Sequence, residues 1–515
     1  MPTPSPDTGL QILLDLAAVG PRREAVEHAI REAVLSERLS PGDRLPSTRF
    51  LAQQLGLGRG TVNDAYTHLI AEGWLTARTG SGTRVAERAA PGATGPRPDP
   101  LALSHPSYDL SPGRPGAGTF PRRAWSAAIK EVLATAPNEA FGYGDPRGRP
   151  ELREALAGYL GRVRGVRTVP EQIVVCSGYT QALGLVAGVL AARRPAGAVA
   201  VENPALPDHV SIVSGHLPII DLPVDGEGLD VEVLTRSGAQ AVVCTPAHQF
   251  PSGVALSRDR RHGVLDWARS TGGWVIEDDY DGNFNYERRP VGALQSDSPE
   301  RVLYVGSTSK SLGPAVRLGW IVSPVALIEP LAHAKRLADR QTSPIDQLAL
   351  AALLGNGGYD RHLLAMRRLY RQRRDQLVAA LRLHLPAARV LGVAAGLHAI
   401  VELPPGGPPE VEVVQALQAA SIRVHPYGGY LRGGSPSSTD APVRVIVGYA
   451  APSSHAYGAA LEALLTTLAD VTGRPLPVPD SCGAAPRHAR QARGTGDDSA
   501  VDHRRSRTVG TARQR

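Results

Sequence analysis

A lysine in a turn rich in serine and glycine is the residue of this sequence best suited to covalent chemistry. Lys310 lies within Gly306–Arg317, GSTSKSLGPAVR, between Ser309 and Ser311. The chain has only three lysines, because almost all of its positive charge is arginine. A primary amine forms a Schiff base with a carbonyl compound and a guanidinium does not, so this lysine predicts covalent chemistry. A solvated surface lysine is the alternative that the spacing leaves open.

Two apolar runs are needed to position other groups around this lysine. Trp274–Ile276 predicts a short buried strand, and Asp278 and Tyr280 follow where that strand ends. A second run, Val302–Val305, leads directly into the turn of Lys310. In open α/β sheets, ligands bind outside the carboxyl ends of the strands. Two adjacent strand ends would therefore bring together a carboxylate, a phenol and an amine, which is the set that pyridoxal 5′-phosphate requires.

These motifs resemble those of fold-type I aminotransferases. SxSKxxxPxxRxG follows EDDY, and YGDPRG and SGYTQAL precede both, so the resemblance covers about residues 105–470. It implies an α/β fold with a large and a small subdomain. It also implies that Lys310 is the Schiff-base lysine, that Asp278 pairs with the pyridine nitrogen and that Tyr280 bonds the phenolic oxygen of the ring. The phosphate-binding residues that it implies are Gly178, Tyr179, Thr180, Ser307, Ser309 and Arg317.

The sequence departs from the family pattern around the predicted ring and phosphate. The family commonly has Ser-Gln where this chain has Tyr179 and Thr180, so only their backbone N–H groups carry over. Leu206 stands where an aromatic residue usually stacks on the pyridine ring, and it covers that ring without π-stacking. Phe250 replaces an asparagine that bonds the ring oxygen in working aminotransferases. These differences favour cofactor binding with at most vestigial transaminase activity.

Two further residues take roles from the resemblance. Tyr143, in FGYGDPRG, would reach the phosphate of the neighbouring subunit, which implies a homodimer; a packed aromatic in a turn is the alternative. Arg444, on the predicted strand VRVIVGYA, would grip the carboxylate of an amino-acid ligand through two parallel N–H groups. A surface arginine on a strand is the alternative for Arg444.

The N-terminal residues predict three helices and a hairpin. Apolar residues recur every three to four positions along Arg22–Ser36, and Ser47 suits the N-cap of a second helix. The turn LGLGR leads into a third helix, roughly Gly60–Glu72. WLTARTGSGTRV then predicts a strand, a glycine-rich turn and a strand. This order of elements describes a winged helix-turn-helix.

The stretch LPSTRFLAQQLGLGRGTVNDAYTHLIAEGWLTARTGSGTRV closely resembles the GntR-type DNA-binding domain. In such a domain the third helix lies in the major groove with its N-terminal residues near base edges. Gly58 replaces a common serine cap, and Asn63 stands where some relatives have an arginine, so the preferred DNA sequence would differ. The residues implied to contact double-stranded promoter DNA are Arg49, Arg59, Thr61, Arg78 and Arg84.

Composition divides the rest of the chain. Residues 10–85 carry the DNA-binding pattern, residues 107–472 carry the aminotransferase-like pattern, and residues 86–106, dominated by Ala, Pro, Gly and Arg, predict an extended linker. Residues 473–515 predict a disordered basic tail, in which nine Arg against four Asp give +5 of the net charge of +7. Such a tail touches DNA or, more often, is a solvated end.

Cysteine usage and hydropathy point to a reducing compartment. Cys176, Cys244 and Cys482 are an odd number, far apart and without a CxxC pair, so neither a disulfide framework nor a zinc site is indicated. Leu10–Val19 is apolar but short, and Asp15 interrupts it, so it is neither a signal peptide nor a membrane span. The sequence therefore predicts a cytoplasmic protein without metal or membrane attachment.

A winged helix followed by a fold-type I domain resembles the MocR/GabR subfamily of bacterial transcription regulators. The combination implies a homodimer that binds promoter DNA and senses pyridoxal 5′-phosphate, an amino-group effector, or both, through a Schiff base at Lys310. An active aminotransferase carrying a DNA-binding module is the second interpretation. A DNA binder whose large domain has lost the cofactor is the third, and intact Lys310, Asp278, Tyr280 and Arg317 argue against it.

Overall fold

The protein forms two compact units, one ending at Ser104 and the other beginning at His105. The residues preceding Arg22, nearly all of the predicted linker and the basic tail after Gly473 lie outside the described residues, so their interpretations stay predictions. Of Arg22 and Arg78 only the backbone is described. The computed structural model describes residues 22–36, 38–78, 82–86, 106–286, 292–433 and 442–473.

The N-terminal unit consists of three helices followed by an antiparallel hairpin. Its core contains Val26, Ile30, Val62 and Leu69, all fully buried. These positions recur at helical spacing along the first and third helices, so each helix turns one apolar face inward. The predicted winged helix-turn-helix is thereby confirmed. Its elements are α1 (Arg22–Leu35), α2 (Thr48–Leu55), α3 (Arg59–Ala71), β1 (Leu75–Arg78) and β2 (Gly82–Val85).

Local capping fixes both ends of α2 and the start of α3. Ser47 is the N-cap of α2, and its hydroxyl accepts the N–H of Phe50 at 3.2 Å. Gly56 ends α2 in the left-handed conformation, with φ 61°, which glycine adopts without a steric penalty. Gly58 is the N-cap of α3, so Arg59 is the first residue of that helix.

The C-terminal unit contains a large α/β subdomain and a smaller subdomain. Its strands are β3 (Tyr108–Asp109), β4 (Ile173–Cys176), β5 (Val199–Asn203), β6 (Ile219–Asp225), β7 (Gly228–Leu229), β8 (Ala241–Cys244), β9 (Trp274–Asp278), β10 (Val302–Ser307), β11 (Gly319–Val322), β12 (Arg389–Leu391), β13 (His398–Glu402), β14 (Ile422–Arg423), β15 (His425–Pro426) and β16 (Arg444–Gly448). Its helices are α4 (Arg122–Thr135), α5 (Pro150–Arg164), α6 (Tyr179–Arg193), α7 (Pro207–Ser214), α8 (Val231–Arg236), α9 (Arg258–Thr271), α10 (Val325–Asp339), α11 (Pro344–Gly355), α12 (Gly358–His384), α13 (Glu410–Ala419) and α14 (Tyr457–Val471).

Eight strands form the main sheet, in the order β4-β11-β10-β9-β8-β5-β6-β7. The strands from β10 across to β6 run parallel, and β11 is antiparallel to both of its neighbours. Helices cover both faces, so the inner strands are continuous apolar runs rather than alternating ones. Leu303, for example, faces the α6 and α10 side, whereas Tyr304 faces the α5 and α11 side. This arrangement confirms the predicted fold-type I architecture.

The small subdomain is built on the antiparallel sheet β12-β13-β16-β15, with α13 packed against β15 and β16 and α14 packed against α13. The 27-residue helix α12 leads into this subdomain. β3, at the start of the unit, pairs in parallel with β14, which joins the first described residues of the unit to the small subdomain. None of the described helices is long and apolar enough to cross a membrane.

Two strands extend further than their apolar runs predicted. β9 continues through Glu277 to Asp278, and β10 continues to Ser307. Glu277 stays in the sheet because its buried carboxylate accepts the backbone N–H groups of Leu294 and Gln295, at 2.8 and 3.0 Å. An acid with two such donors is tolerated inside a strand, which apolar patterning cannot reveal.

Candidate functional site

Lys310 lies in the turn that follows β10. A Cβ added at Gly113 would be 3.3 Å from Lys310 Nζ, so the glycine leaves room for the amine. Burial lowers the pKa of Lys310; Arg114 also lowers this pKa, while Asp278 and Asp281 raise it. A lowered pKa increases the fraction of unprotonated amine, which is the form that attacks a carbonyl carbon.

Asp278 ends β9 and is 5% exposed. Its neighbour across the parallel ladder is Val305, two residues before the end of β10, so both strands deliver their last residues to one edge of the sheet. Burial raises the pKa of Asp278 well above its usual value, and Lys310 opposes that rise. Asp278 Oδ1 is buried, and no donor among the described residues meets hydrogen-bond geometry with it; the Tyr179 hydroxyl, which also lacks such a partner, is near enough to lower the Asp278 pKa.

These two groups fit pyridoxal 5′-phosphate. A buried acceptor without a partner is costly, and the N–H of a protonated pyridine ring would satisfy Asp278 Oδ1. The amine of Lys310, whose charge the same carboxylate senses, is the nucleophile that an aldehyde requires. The fit therefore rests on a donor that is missing at Asp278 and an amine that is present beside it.

The predicted phosphate residues converge where β4, β11 and β10 lie side by side. Gly319 of β11 is in register with Ser307 on one side and with Cys176 on the other, so the loops after β10 and β4 are neighbours. Gly178 has φ 89° and is the N-cap of α6, and a Cβ there would be 3.1 Å from Arg317 Nη1. Arg317 also donates a hydrogen bond to the carbonyl of Ser177. A helix N-terminus with a guanidinium over it is suited to a phosphate group.

The remaining phosphate candidates differ in exposure. The N–H of Ser309 donates to Ser307 Oγ at 3.4 Å, so these two residues form one turn. Thr180 is exposed in the first turn of α6. Tyr179 is partly buried instead; Asp278 contributes to raising the Tyr179 pKa, after the larger effect of burial. Its side chain thus lies near Asp278, and only its backbone lies at the helix start.

Leu206 and His209 share the beginning of α7. Leu206 is the N-cap of that helix and is partly buried. His209, three residues later, lies against Tyr179, with ring centroids 4.6 Å apart. Burial lowers the pKa of His209 to about 4, and Lys310 lowers it too, so the imidazole is neutral at physiological pH. Sequence reasoning missed His209, although its spacing from Leu206 places both on one side of the helix.

Tyr280 makes contacts within the protein where the resemblance predicts a bond to the ring oxygen. Its hydroxyl lies 3.0 Å from His248 Nδ1, and Asp281 Oδ2 lies 2.8 Å from the same nitrogen. Phe250 packs edge-on against Tyr280, with centroids 6.1 Å apart. His248 stands two residues before Phe250, in TPAHQFPSG, and sequence reasoning missed it.

Arg444 is not a free cation in the structure. Its Nε and Nη2 both lie 2.9 Å from Glu402 Oε2, and its guanidinium lies over the ring of Tyr427 at 5.5 Å. Glu402 is its direct neighbour across the β13–β16 ladder. A ligand carboxylate at Arg444 would therefore compete with a carboxylate of the protein itself. The pairing of Arg444 with Glu402 depends on the register of β16 with β13, which the sequence alone does not show.

Tyr143 is 91% exposed. Gln341 fixes the turn around it, accepting the N–H of Gly144 at 2.6 Å and donating to the carbonyl of Gly142 at 2.9 Å. The exposed ring of Tyr143 therefore does not pack within the turn, which was the alternative to a role in ligand binding.

The predicted DNA contacts lie at the starts of two helices and in the wing. Arg49 and Arg59 are exposed in the first turns of α2 and α3, and Thr61 is partly buried in the first turn of α3. Exposed cations at the start of the third helix are where a winged helix meets base edges. Arg78 belongs to β1, but its side chain lies outside the described residues.

The base of the wing holds another arginine that sequence reasoning missed. Arg84 Nη1 donates to the carbonyl of Gly42 at 2.7 Å, so part of its guanidinium is used within the domain. Arg44 forms a backbone bridge with Arg84, and a Cβ at Gly82 would be 3.0 Å from Arg44 Nε. The exposed Arg44 precedes LPS, the motif that starts α2, and is a cation suited to DNA phosphates.

Comparisons with known proteins agree with both halves. The family "Aminotransferase class I and II" matches residues 109–463, and "Bacterial regulatory proteins, gntR family" matches residues 22–85. The HTH-type pyridoxine biosynthesis transcriptional regulator PdxR of Corynebacterium glutamicum is 33% identical over 409 residues, which are 78% of this chain and 87% of that protein. The probable rhizopine catabolism regulatory protein MocR of Rhizobium meliloti is 32% identical over 407 residues, 73% and 80% of the two chains.

A solved structure is similar to the C-terminal unit. An archaeal alanine:glyoxylate aminotransferase shares 26% identity with a TM-score of 0.63, and the match covers 71% of this chain and 91% of that one. The match leaves over a quarter of this chain uncovered. The two relatives above, by contrast, match this chain over 87% and 80% of their own lengths, and both are named as regulators.

Proposed function

The chain belongs to the MocR/GabR subfamily of GntR-type transcription regulators, and from this premise we propose that it regulates transcription in response to pyridoxal 5′-phosphate or an amino compound bound at Lys310. One observation carries the proposal: the amine of Lys310 and the unpartnered oxygen of Asp278 belong to the ends of adjacent parallel strands. In this proposal the winged helix binds DNA, and ligand binding at Lys310 changes the affinity of that binding.

Each residue of the site has a role that its geometry supports. When bound, pyridoxal 5′-phosphate supplies an aldehyde that forms a Schiff base with an amine. Lys310 provides that amine, and Asp278 would keep the ring nitrogen protonated. Arg317 and the start of α6 would hold the phosphate. Tyr280 would donate to the phenolic oxygen of the ring.

Regulation rather than turnover is supported by two features. Phe250 brings an apolar edge to Tyr280 where an aminotransferase has a hydrogen-bonding amide. Arg444, the expected clamp for a substrate carboxylate, is held by Glu402. An active aminotransferase with a DNA-binding module is the second candidate, which the intact pair of Lys310 and Asp278 favours.

The names of the relatives suggest two classes of effector. PdxR is named for pyridoxine biosynthesis and MocR for rhizopine catabolism. For this chain, the first name supports pyridoxal 5′-phosphate itself as the effector, and the second supports a small amino compound that would exchange with Lys310.

The active form is a cytoplasmic homodimer in this proposal. Tyr143 projects from its own subunit with 91% exposure, which suits a residue that completes the phosphate site of a partner. A dimer presents two winged helices, so it should protect two half-sites spaced near a multiple of the DNA helical turn. A footprint of one half-site at saturating protein would count against the dimer.

Substitution of Lys310 by arginine tests the proposal directly. Lys310→Arg keeps the positive charge but removes the primary amine, so covalent trapping of the cofactor by borohydride should fall to background. Lys130→Arg, on the exposed surface of α4, is the control and should trap cofactor like the unchanged protein. Trapping that survives in Lys310→Arg would assign the Schiff base to another lysine.

A panel of amino compounds then separates sensor from enzyme. Added to the cofactor-loaded protein, an effector should change the absorption spectrum and the affinity for promoter DNA without forming a keto acid. Steady keto-acid production from the panel would support the aminotransferase instead. An affinity for promoter DNA that stays the same with and without cofactor and amines would contradict the proposed sensing.

A further inference from the structure

His248 links the phenol next to the candidate cofactor site to a buried carboxylate. Asp281 Oδ2 and the Tyr280 hydroxyl both lie within 3.0 Å of His248 Nδ1. All three residues are buried or partly buried, and His248 and Asp281 are each 3% exposed. The rings of His248 and Tyr280 are nearly parallel, with an interplanar angle of 25° and centroids 6.3 Å apart.

The carboxylate determines where the hydrogen atoms lie. An ionised carboxylate only accepts hydrogen bonds, so the contact with Asp281 requires that His248 Nδ1 carries a hydrogen. The Tyr280 hydroxyl cannot donate to a nitrogen that already carries a hydrogen; its oxygen can only share that N–H as a second acceptor. The hydroxyl hydrogen of Tyr280 therefore goes to an acceptor other than His248: either the Asp281 carboxylate, whose hydrogen bond helps burial to raise the Tyr280 pKa, or an oxygen bound in the site.

The surrounding backbone keeps this arrangement rigid. A Cβ at Gly396 would be 2.4 Å from His248 Cε1 and 2.5 Å from Asp281 Oδ2, so the main chain lies directly against both groups. The carbonyl of Gly396 accepts the hydroxyls of Tyr286 and Tyr449, at 2.6 and 2.7 Å. The backbone at Gly396 therefore leaves little space beside the imidazole and the carboxylate.

We propose that His248, held by Asp281, is a positioning residue that turns the Tyr280 hydroxyl hydrogen toward the phenolic oxygen of bound pyridoxal 5′-phosphate. The inference rests on the proposed function. It explains how one donor serves the ring oxygen although Phe250 has replaced the second donor of working aminotransferases. His248 acts through Tyr280 and makes no contact with the cofactor itself.

The spectrum of the bound cofactor tests this role, because its visible and near-ultraviolet bands differ in whether the phenolic oxygen carries the proton. In the full-length protein loaded with pyridoxal 5′-phosphate, Tyr280→Phe should change the ratio of the two bands about two- to ten-fold, the factor expected for one hydrogen bond. His248→Phe should change the ratio in the same direction. His216→Phe, on the exposed surface beyond α7, is the control and should leave the ratio unchanged.

A double variant separates positioning from direct contact. Tyr280→Phe combined with His248→Phe should match Tyr280→Phe alone, because His248 has no effect without the hydroxyl that it orients. An additional change in the double variant would overturn the inference, as would a normal ratio in either single variant. Should His248→Phe fail to fold, Asp281→Asn takes its place, because an amide can donate as well as accept and so no longer requires the hydrogen on Nδ1. A His248→Phe protein with a lower melting temperature but an unchanged ratio would show a merely structural role.

Failure of the proposed function gives a different result. If the unchanged protein develops no cofactor band at all, the proposal of cofactor binding fails, whatever His248 does. If the band forms and Lys310→Arg abolishes it, a spectrum insensitive to His248 overturns only the positioning role.

Discussion

Glu202 links the stability of the C-terminal unit to pH. It is 5% exposed at the end of β5, and burial raises its pKa to about 7. Thr245 Oγ1 donates to Glu202 Oε2 at 2.6 Å, which lowers this pKa without cancelling the effect of burial. The unfolded chain ionises this carboxyl near 4.5, so between the two values the native state binds more protons. The contribution of Glu202 to stability therefore falls as the pH rises from about 4.5 to 7.

Replacing this carboxyl by an amide should remove the part of the pH dependence of stability that Glu202 contributes. Glu202→Gln should equal the unchanged protein near pH 4 and exceed its free energy of unfolding at pH 8 by on the order of 1–3 kcal/mol. Chemical unfolding followed by tryptophan fluorescence at the two pH values measures the difference. Glu462→Gln, exposed on α14, is the control. A Glu202→Gln protein less stable at pH 8 than the unchanged protein would show that the carboxylate is needed there.

Residues whose roles are set within a few positions could be placed from the sequence. Asp278 ends β9 and Lys310 lies three residues beyond the end of β10, and parallel strands bring such ends together. His248 and Glu402 could not be found in this way. His248 depends on a loop meeting Asp281 across 33 residues, and Glu402 depends on the register of β13 with β16. Neither relation leaves a local pattern.

The pairing of β13 with β16 places a competing carboxylate, Glu402, next to the proposed ligand clamp Arg444. Glu402 occupies the Nε and Nη2 groups of Arg444, and Arg389 Nη1 lies 3.3 Å from the other carboxylate oxygen. A ligand carboxylate must therefore displace Glu402 from Arg444 or share the guanidinium with it.

Removal of the competing carboxylate should improve binding. Glu402→Gln is expected to raise the affinity for an effective amino acid about ten-fold, since a charged partner of Arg444 becomes a neutral one. Arg444→Gln should abolish the response while leaving bound cofactor and basal DNA affinity nearly intact. Arg389→Gln, which removes the other cation from Glu402, should not raise the affinity. Spectroscopic titration measures all three; equal affinities for Glu402→Gln and Arg444→Gln would exclude Arg444 as the clamp.

The start of α3 should carry the sequence preference of the winged helix. Arg59 is exposed as the first residue of that helix, where a side chain can reach base edges. Arg59→Ala should cost about 1–3 kcal/mol on promoter DNA and reduce the discrimination against random DNA. Arg38→Ala, at an exposed position between α1 and α2, is the charge-matched control. An equal loss on both DNAs would make Arg59 a phosphate contact, because phosphate contacts carry no sequence information.

The proposed ligand and promoter DNA would bind to two different compact units of the chain. A ligand can shift the equilibrium between a DNA-binding and a released form only through its different affinities for the two. A ligand that binds both forms equally tightly does not regulate DNA binding, however high its affinity. The sensing proposed for Lys310 therefore requires that the affinity for promoter DNA differs between the ligand-bound and ligand-free protein.

The coupling between the two sites must be reciprocal. Promoter DNA should change the affinity for the effector by the same factor by which the effector changes the affinity for DNA, since the four states form one thermodynamic cycle. Factors of about 5–150 are usual for such coupling. Titrating the effector by absorbance with and without saturating promoter duplex gives one factor, and DNA anisotropy with and without saturating effector gives the other. A shuffled duplex and the Lys310→Arg protein are the controls, and both should bring the factors to one. If the two factors differ, a third equilibrium such as dimer association participates; if both equal one with promoter DNA, the C-terminal unit does not control the winged helix through this site.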